Sequence, residues 1–299
     1  MPKRSFAVYD VFSSRKLAGN PLAVMFDSEG LDDAAMQAIA GEFNLSETVF
    51  IWPAANKAHR ASVRIFTPRH ELPFAGHPTV GTAVLLGRID GGGARTFTLE
   101  EQVGLVPCRV TSSGPDSGSA SFDIPRLPAK EADSPDVALM AAGLGLAITD
   151  MGLDGFTAQR WSAGNPFTFV PVRGLDAIGR CRLDIARFSE AFGSGAHPAA
   201  FVFCRETAEP GHSFHARMFA PVMGVHEDPA TGSAVAAFAG YLAARGGYAD
   251  GEHAIGIEQG YEMGRASQIE LTLKVSGGKL TGAAIAGGAV VVMEGAIEA

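Results

Sequence analysis

Residues 77–83 read HPTVGTA and residues 228–234 read DPATGSA. The second stretch repeats the first at Pro, Gly and Ala, 151 residues further on. Three other segments repeat in the same order. AGNP at 18–21 recurs at 163–166, RIFTP at 64–68 recurs as RMFAP at 217–221, and Glu101-Gln102 recurs more weakly as Glu258-Gln259. The offsets are 145, 153 and 157 residues, so they drift by only a few positions. Chance pairing of Gly, Pro and Ala explains one such match in a chain with 37 Gly and 17 Pro, but not four in order. The pattern indicates a duplicated chain with loop insertions, hence two similar domains with the natural site in the cleft between them.

Each of the two lead stretches opens an apolar run of small residues, 78–88 and 229–245. Proline is favoured at the first helical position, so both runs are expected to be helices starting at Pro78 and Pro229. That places His77 and Asp228 at the N-caps. Residues 32–43 carry an Asp N-cap and helically spaced apolar residues. Residues 48–52, 62–66, 96–100, 105–110 and 119–124 are expected to be strands, with 112–118 a hairpin loop. The second half repeats the order, with strands at 167–172, 200–204, 214–219, 269–275 and 285–292 and a helix near 184–192. The polar stretch 128–136 is the best linker. The fold class is α+β, two mixed sheets each wrapped around a buried helix. The domains are expected at 1–127, completed by 284–299, and at 128–283.

Composition narrows the function. At 46% hydrophobic and 19% charged residues, the 299-residue chain builds a sizeable core. A net charge of −8 argues against nucleic acid or an anionic membrane as partner, while leaving room for a small anionic substrate. No apolar run approaches the ~18 residues needed to span a bilayer. Cys108, Cys181 and Cys204 are odd in number and far apart, as in a reducing compartment. Asp10 interrupts the N-terminus before any signal-type stretch. A cytoplasmic protein is the expectation.

A helix N-terminus exposes unpaired N–H groups and partial positive charge. Two such ends facing one cleft would trap a carboxylate or an enolate-like oxygen. Capping alone accounts for Asp228. Histidine is a poor cap, so His77 either donates or relays a proton or is a histidine in a tight turn. Glu47 lies on the loop between the first helix and a strand, well placed to reach a cleft. The equivalent stretch near Gly195–Pro198 has no carboxylate, which points to asymmetric chemistry with one acid/base. His212, His215 and His226 lack a convincing third and fourth partner for a metal. Gly91–Gly93 and Ser276–Lys279 lack phosphate-loop spacing, and no dinucleotide fingerprint is present.

The AGNP loop, NLSET with Glu47, RIFTPRHELPFAGHPTVG, FAPVMGVHEDPATGSA and EQGYEMGRAS together resemble the phenazine biosynthesis PhzF-like family. The resemblance runs over nearly the whole chain. It implies the diaminopimelate epimerase-like fold, two pseudo-symmetric domains, each a β-barrel-like sheet around a central helix. It implies Glu47 as general acid/base, His77 and Asp228 as its partners, and Gly76, Gly232 and Ser233 as helix-start groups holding substrate. Asn20 of the AGNP loop joins them as a substrate-binding candidate. The two thiols of the related epimerases are absent from the corresponding stretches, so two-cysteine epimerisation is not implied. The expected function is a cofactor-independent isomerase, with no metal, moving a proton on a small carboxylate substrate. The alternatives are a lyase using the same proton abstraction and a non-catalytic binder of small molecules. A homodimer is expected, with neither nucleic acid nor membrane as partner.

Overall fold

The computed structural model describes residues 2–133, 135–193 and 198–299. The chain divides into two compact units, Met1–Pro125 with Ile285–Ala299, and Arg126–Ala284.

The first unit runs β1 (Lys3–Val11), β2 (Asn20–Met25), α1 (Asp33–Phe43), β3 (Glu47–Trp52), β4 (Ala61–Phe66), β5 (Glu71–Leu72), α2 (Gly76–Ile89), β6 (Ala94–Glu101), β7 (Gly104–Ser112) and β8 (Ser117–Asp123). Strand β1 pairs antiparallel with β2, and β2 parallel with β3. Strand β3 pairs antiparallel with β4, and β4 parallel with β6. Strands β6, β7 and β8 form an antiparallel meander. The closing strand, the C-terminal part of β17 (Lys279–Glu298), pairs with both β8 and β1. Eight strands thus close on themselves, the barrel size whose interior side chains just fill.

Here the filling is α2. Every residue from Gly76 to Gly87 is buried, and the helix packs on β1, β2, β3, β7 and β8. Burying Val80, Val84, Leu85 and Leu86 stabilises the unit by ~1.5–3 kcal/mol each. The small residues of this helix have a steric cause. A Cβ on Gly81 would lie 2.6 Å from Leu22 Cδ2 and 2.7 Å from Val11 Cγ2.

The second unit runs β9 (Ala129–Asp133), α3 (Val137–Leu144), β10 (Gln159–Ser162), β11 (Pro166–Pro171), α4 (Leu175–Gly179), α5 (Ile185–Phe192), β12 (Ala200–Cys204), β13 (Phe214–Ala220), β14 (Val225–Asp228), α6 (Gly232–Arg245), β15 (Gly251–Gln259) and β16 (Ser267–Ser276). Its pairings follow the same order as the first unit's. Strand β10 is antiparallel to β11, β11 parallel to β12, β12 antiparallel to β13, β13 parallel to β15, and β15 antiparallel to β16. Helix α6 packs on β9, β10, β11 and β16. Aromatic residues fill this core, with Phe238 of α6 packed against Phe169, Phe201, Phe203 and Phe214.

Three expectations need correction. The polar stretch 128–136 is no free linker, because Ala129–Asp133 forms β9 and pairs with β10. Neither Pro78 nor Pro229 is the first helical residue. Helix α2 starts at Gly76 with Ala75 as N-cap, and α6 starts at Gly232 with Thr231 as N-cap. His77 is therefore inside α2 and Asp228 ends β14, so neither caps a helix. Proline lacks only an N–H that the first turn leaves unpaired anyway, so Pro78 is tolerated two residues further in. The helix bounds also re-register the repeat: Gly76 corresponds to Gly232, rather than His77 to Asp228.

Candidate functional site

In the first unit the backbone delivers Glu47 and His77 to the same place. Helix α1 begins at N-cap Asp32, whose carboxylate accepts from Ala35 N at 2.8 Å, and ends at Asn44 in the left-handed conformation. Asn tolerates that conformation and turns the chain, which then enters β3 three residues later. Glu47 is thus the first residue of β3, not a loop residue, and lies beside Leu22 of β2 in parallel register.

Asn20 opens β2 and is fully buried. The AGNP loop before it depends on Gly19, at φ +69°, where a Cβ would sit 2.4 Å from Val11 O. Buried Asp10 ties the same loop by accepting from Leu17 N at 2.6 Å.

His77 Nδ1 lies 3.2 Å from Glu47 Oε2. Burial pushes the imidazole down to about 3, so His77 is neutral near pH 7. A neutral imidazole has one N–H and one bare nitrogen. In the Nδ1–H tautomer the hydrogen faces ionised Glu47 and Nε2 is bare; in the Nε2–H tautomer bare Nδ1 faces a protonated Glu47. The 3.2 Å contact is a close electrostatic approach rather than an aligned hydrogen bond. His77 Nε2 is buried and makes no hydrogen bond among the described residues. The histidine is neutral in both states; the pair carries one proton when Glu47 is ionised and two when Glu47 is protonated.

Gly76 and His77 are the first two residues of α2, and no side chain caps this helix start. Thr79 and Glu101 hold it from behind. Thr79 Oγ1 is 2.8 Å from Ala75 O and 2.9 Å from Glu101 Oε1.

In the second unit, Asp228 Oδ2 accepts from Thr231 Oγ1 at 2.6 Å. Gln259 binds around the same segment: its Oε1 accepts from Thr231 N at 3.1 Å, and its Nε2 donates to Asp228 O at 2.7 Å and Thr231 Oγ1 at 3.0 Å. Asp228 is buried, and Gly232 and half-buried Ser233 open α6 directly beyond. The EQGYEMGRAS segment packs closely here, since a Cβ on Gly260 would lie 2.6 Å from Pro229 O.

The structure thus brings Asn20, Glu47, Gly76 and His77 into one unit and Asp228, Gly232 and Ser233 into the other. Sequence reading missed Thr79, Glu101, Thr231 and Gln259. The signal was the weak EQ match, read one residue out of register. Glu100, not Glu101, corresponds to Glu258. Glu100 accepts from Ala55 N, Asn56 N and His59 Nδ1, and Glu258 accepts from Ala208 N, Glu209 N and His212 Nδ1. Glu101 then corresponds to Gln259, each the last residue of its strand.

His212 and His215 both meet Glu258, and His215 also meets Glu262 at 3.0 Å. Burial pulls the His215 imidazole down, but Glu262 and Glu258 outweigh it and raise it above its ordinary value. Among the described residues no three or more His, Cys, Asp or Glu side chains are grouped to hold a metal ion. Residues 195–197, expected to lack a carboxylate opposite Glu47, lie outside the described residues. No described helix is long and apolar enough to cross a membrane.

The profile of the phenazine biosynthesis-like protein family matches residues 9–295. The chain belongs to this family. It is 48% identical over 299 residues to an uncharacterised isomerase of Mesorhizobium japonicum, covering 99% of each chain. It is 35% identical to trans-2,3-dihydro-3-hydroxyanthranilate isomerase of Pseudomonas fluorescens, over 98% of this chain and 99% of the relative. Its fold matches the Bacillus anthracis phenazine biosynthesis protein of the PhzF family at a TM-score of 0.89, with 26% identity and full coverage of both chains. A hydroxyproline epimerase of Agrobacterium vitis shares the fold at a TM-score of 0.63 and 13% identity, over 99% of this chain and 92% of that one. This phenazine biosynthesis-like protein is an isomerase with a mixed α+β fold.

Proposed function

We infer that this isomerase moves a proton between carbon positions of a small carboxylate-bearing substrate, with Glu47 as general acid/base. The observation that carries the reading is the 3.2 Å approach of buried, neutral His77 to Glu47. An ordinary glutamate, with pKa about 4.3, is a weak base toward a carbon acid. A buried neutral neighbour with one N–H and one bare nitrogen faces Glu47 in either protonation state by switching tautomer, so Glu47 itself takes a proton from one carbon and delivers it to another on the same face. Such a positioned acid/base contributes ~10²–10⁴-fold in rate.

The helix starts at Gly76 and Gly232–Ser233 supply backbone N–H groups for the substrate carboxylate and for charge developing in the intermediate. Asp228, fixed by Thr231 and Gln259, acts on the same substrate. That both units serve one substrate is part of this inference and rests on the repeated motifs. The relatives named for trans-2,3-dihydro-3-hydroxyanthranilate make that cyclic carboxylate the first compound to offer.

The test is turnover in deuterated water followed by mass spectrometry. Deuterium entering the product with no change in formula supports the reading. Loss of water assigns a lyase instead, and binding without exchange assigns a binder.

A further inference from the structure

We propose that Glu101 is a positioning residue for the start of α2: held as a carboxylic acid, it fixes Thr79 and Ala75 and through them sets His77. This deepens the isomerase reading, because it concerns how the acid/base pair is kept in place.

Thr79 Oγ1 has a single hydrogen and two near neighbours, Ala75 O at 2.8 Å and Glu101 Oε1 at 2.9 Å. Ala75 O is only an acceptor. Both contacts are hydrogen bonds at once only if Thr79 O–H points at Ala75 O and Glu101 brings a proton to Thr79 Oγ1. An ionised Glu101 would draw the Thr79 hydrogen to itself and leave the Ala75 carbonyl with the Thr79 backbone N–H alone, at 3.2 Å. Ala75 is the N-cap of α2 and has no side-chain cap; the relay instead gives the carbonyl that starts the helical ladder a second donor beside Thr79 N–H. His77 follows two residues later.

Gln259 occupies in the second unit the place of Glu101 in the first, and it too reaches back to the start of the central helix, binding Thr231 and Asp228. That position is neutral by composition in one unit. A protonated carboxyl makes it neutral in the other.

Glu101 is 8% exposed, and its Oε2 is buried without a hydrogen-bond partner among the described residues. No described Lys, Arg or His bonds it. The titratable group facing it from β7 is Cys108, buried and itself pushed up to about 12 by burial and by Glu101. From α2 it meets only the Thr79 hydroxyl, and its neighbour Glu100 turns instead to His59. Burial accordingly pushes Glu101 up to about 8.

The test uses the full-length protein labelled with carboxyl-¹³C glutamate and ring-¹⁵N histidine, with Glu101→Gln to assign the Glu101 signal. The expected result is a Glu101 midpoint several pH units above the ordinary carboxylate range. His77 nitrogen shifts should follow that midpoint in the wild type and lose the step in Glu101→Gln. A Glu101 midpoint near 4–5, or a His77 signal blind to Glu101, overturns the proposal. Neither readout needs a substrate, so the proposal stands or falls separately from the isomerase reading.

Where turnover is measured, Glu101→Gln should move the alkaline limb of kcat/KM to higher pH. Thr79→Val should lower kcat at least tenfold with KM changed less than threefold, and Thr79→Ser should restore it. An alkaline limb that stays in place in Glu101→Gln also overturns the proposal.

Discussion

Replacing Glu101 by Gln should make the first unit more stable, increasingly so as the pH rises. Folding holds this carboxyl at about 8 against an ordinary 4.5. Between those values the unfolded chain has lost the proton and the folded chain keeps it. The folded state binds more protons there, so wild-type stability falls with rising pH. Each unit of difference corresponds to about 1.4 kcal/mol, so the penalty is roughly 3 kcal/mol at pH 7 and levels off near 5 kcal/mol above pH 8. Gln keeps the shape, donates to Thr79 and has no proton to lose. The stability difference between variant and wild type should therefore climb by about 1.4 kcal/mol per pH unit from pH 5 to 8.

The assay is urea unfolding at four pH values. The chain has two tryptophans, Trp52 in the first unit and Trp161 in the second, so a Trp161→Phe background leaves Trp52 to report on the first unit alone. A stability difference that is flat from pH 5 to 9 would show that Glu101 ionises freely on folding, and the reasoning would fail.

Gly19→Ala should cost at least ~2 kcal/mol, because the left-handed backbone and the contact with Val11 O are both violated. A melting temperature within a degree of the wild type would refute it. His215→Gln should be destabilising mainly at acidic pH. The raised imidazole stabilises the fold fully below its ordinary value near 6.5 and stops doing so as pH passes the folded value. The gap to wild type should therefore narrow between pH 5.5 and 9 in urea unfolding, and a gap that widens contradicts the assignment. Asp228→Asn should retain the Thr231 hydrogen bond and most stability, while kcat falls by tenfold or more. Loss of stability with full turnover would make Asp228 purely structural.

The repeat was legible because its motifs mark places where backbone geometry tolerates few residues. Gly19 is needed for a left-handed turn, and Gly81 is needed because Leu22 and Val11 crowd the helix. His77 stood out as a poor helix cap in a small, apolar run, and Glu47 by its place between the first helix and a strand and by the family resemblance. The helix starts were misplaced because a first-turn Pro does not mark one position uniquely. Glu101 and Gln259 were hidden for another reason. Their significance lies in which helix start they touch across strand order, a long-range pairing without local periodicity. Glu100 and Glu101 adjoin in sequence, yet one clamps a loop and the other a helix start, because successive residues of a strand face opposite ways. Strand β9 was hidden by its polar composition: Ala129, Lys130 and Glu131 are exposed, so no apolar alternation marks it.

The central claim is that Glu47 moves the proton. The direct measurement compares wild type and Glu47→Gln in deuterated water on a carboxylate that the wild type converts, following deuterium at carbon by mass spectrometry and NMR. The account predicts deuterium in the wild-type product at unchanged formula, and at least a 10²-fold slower incorporation in Glu47→Gln with the fold intact by circular dichroism. Incorporation at the wild-type rate in Glu47→Gln would contradict it.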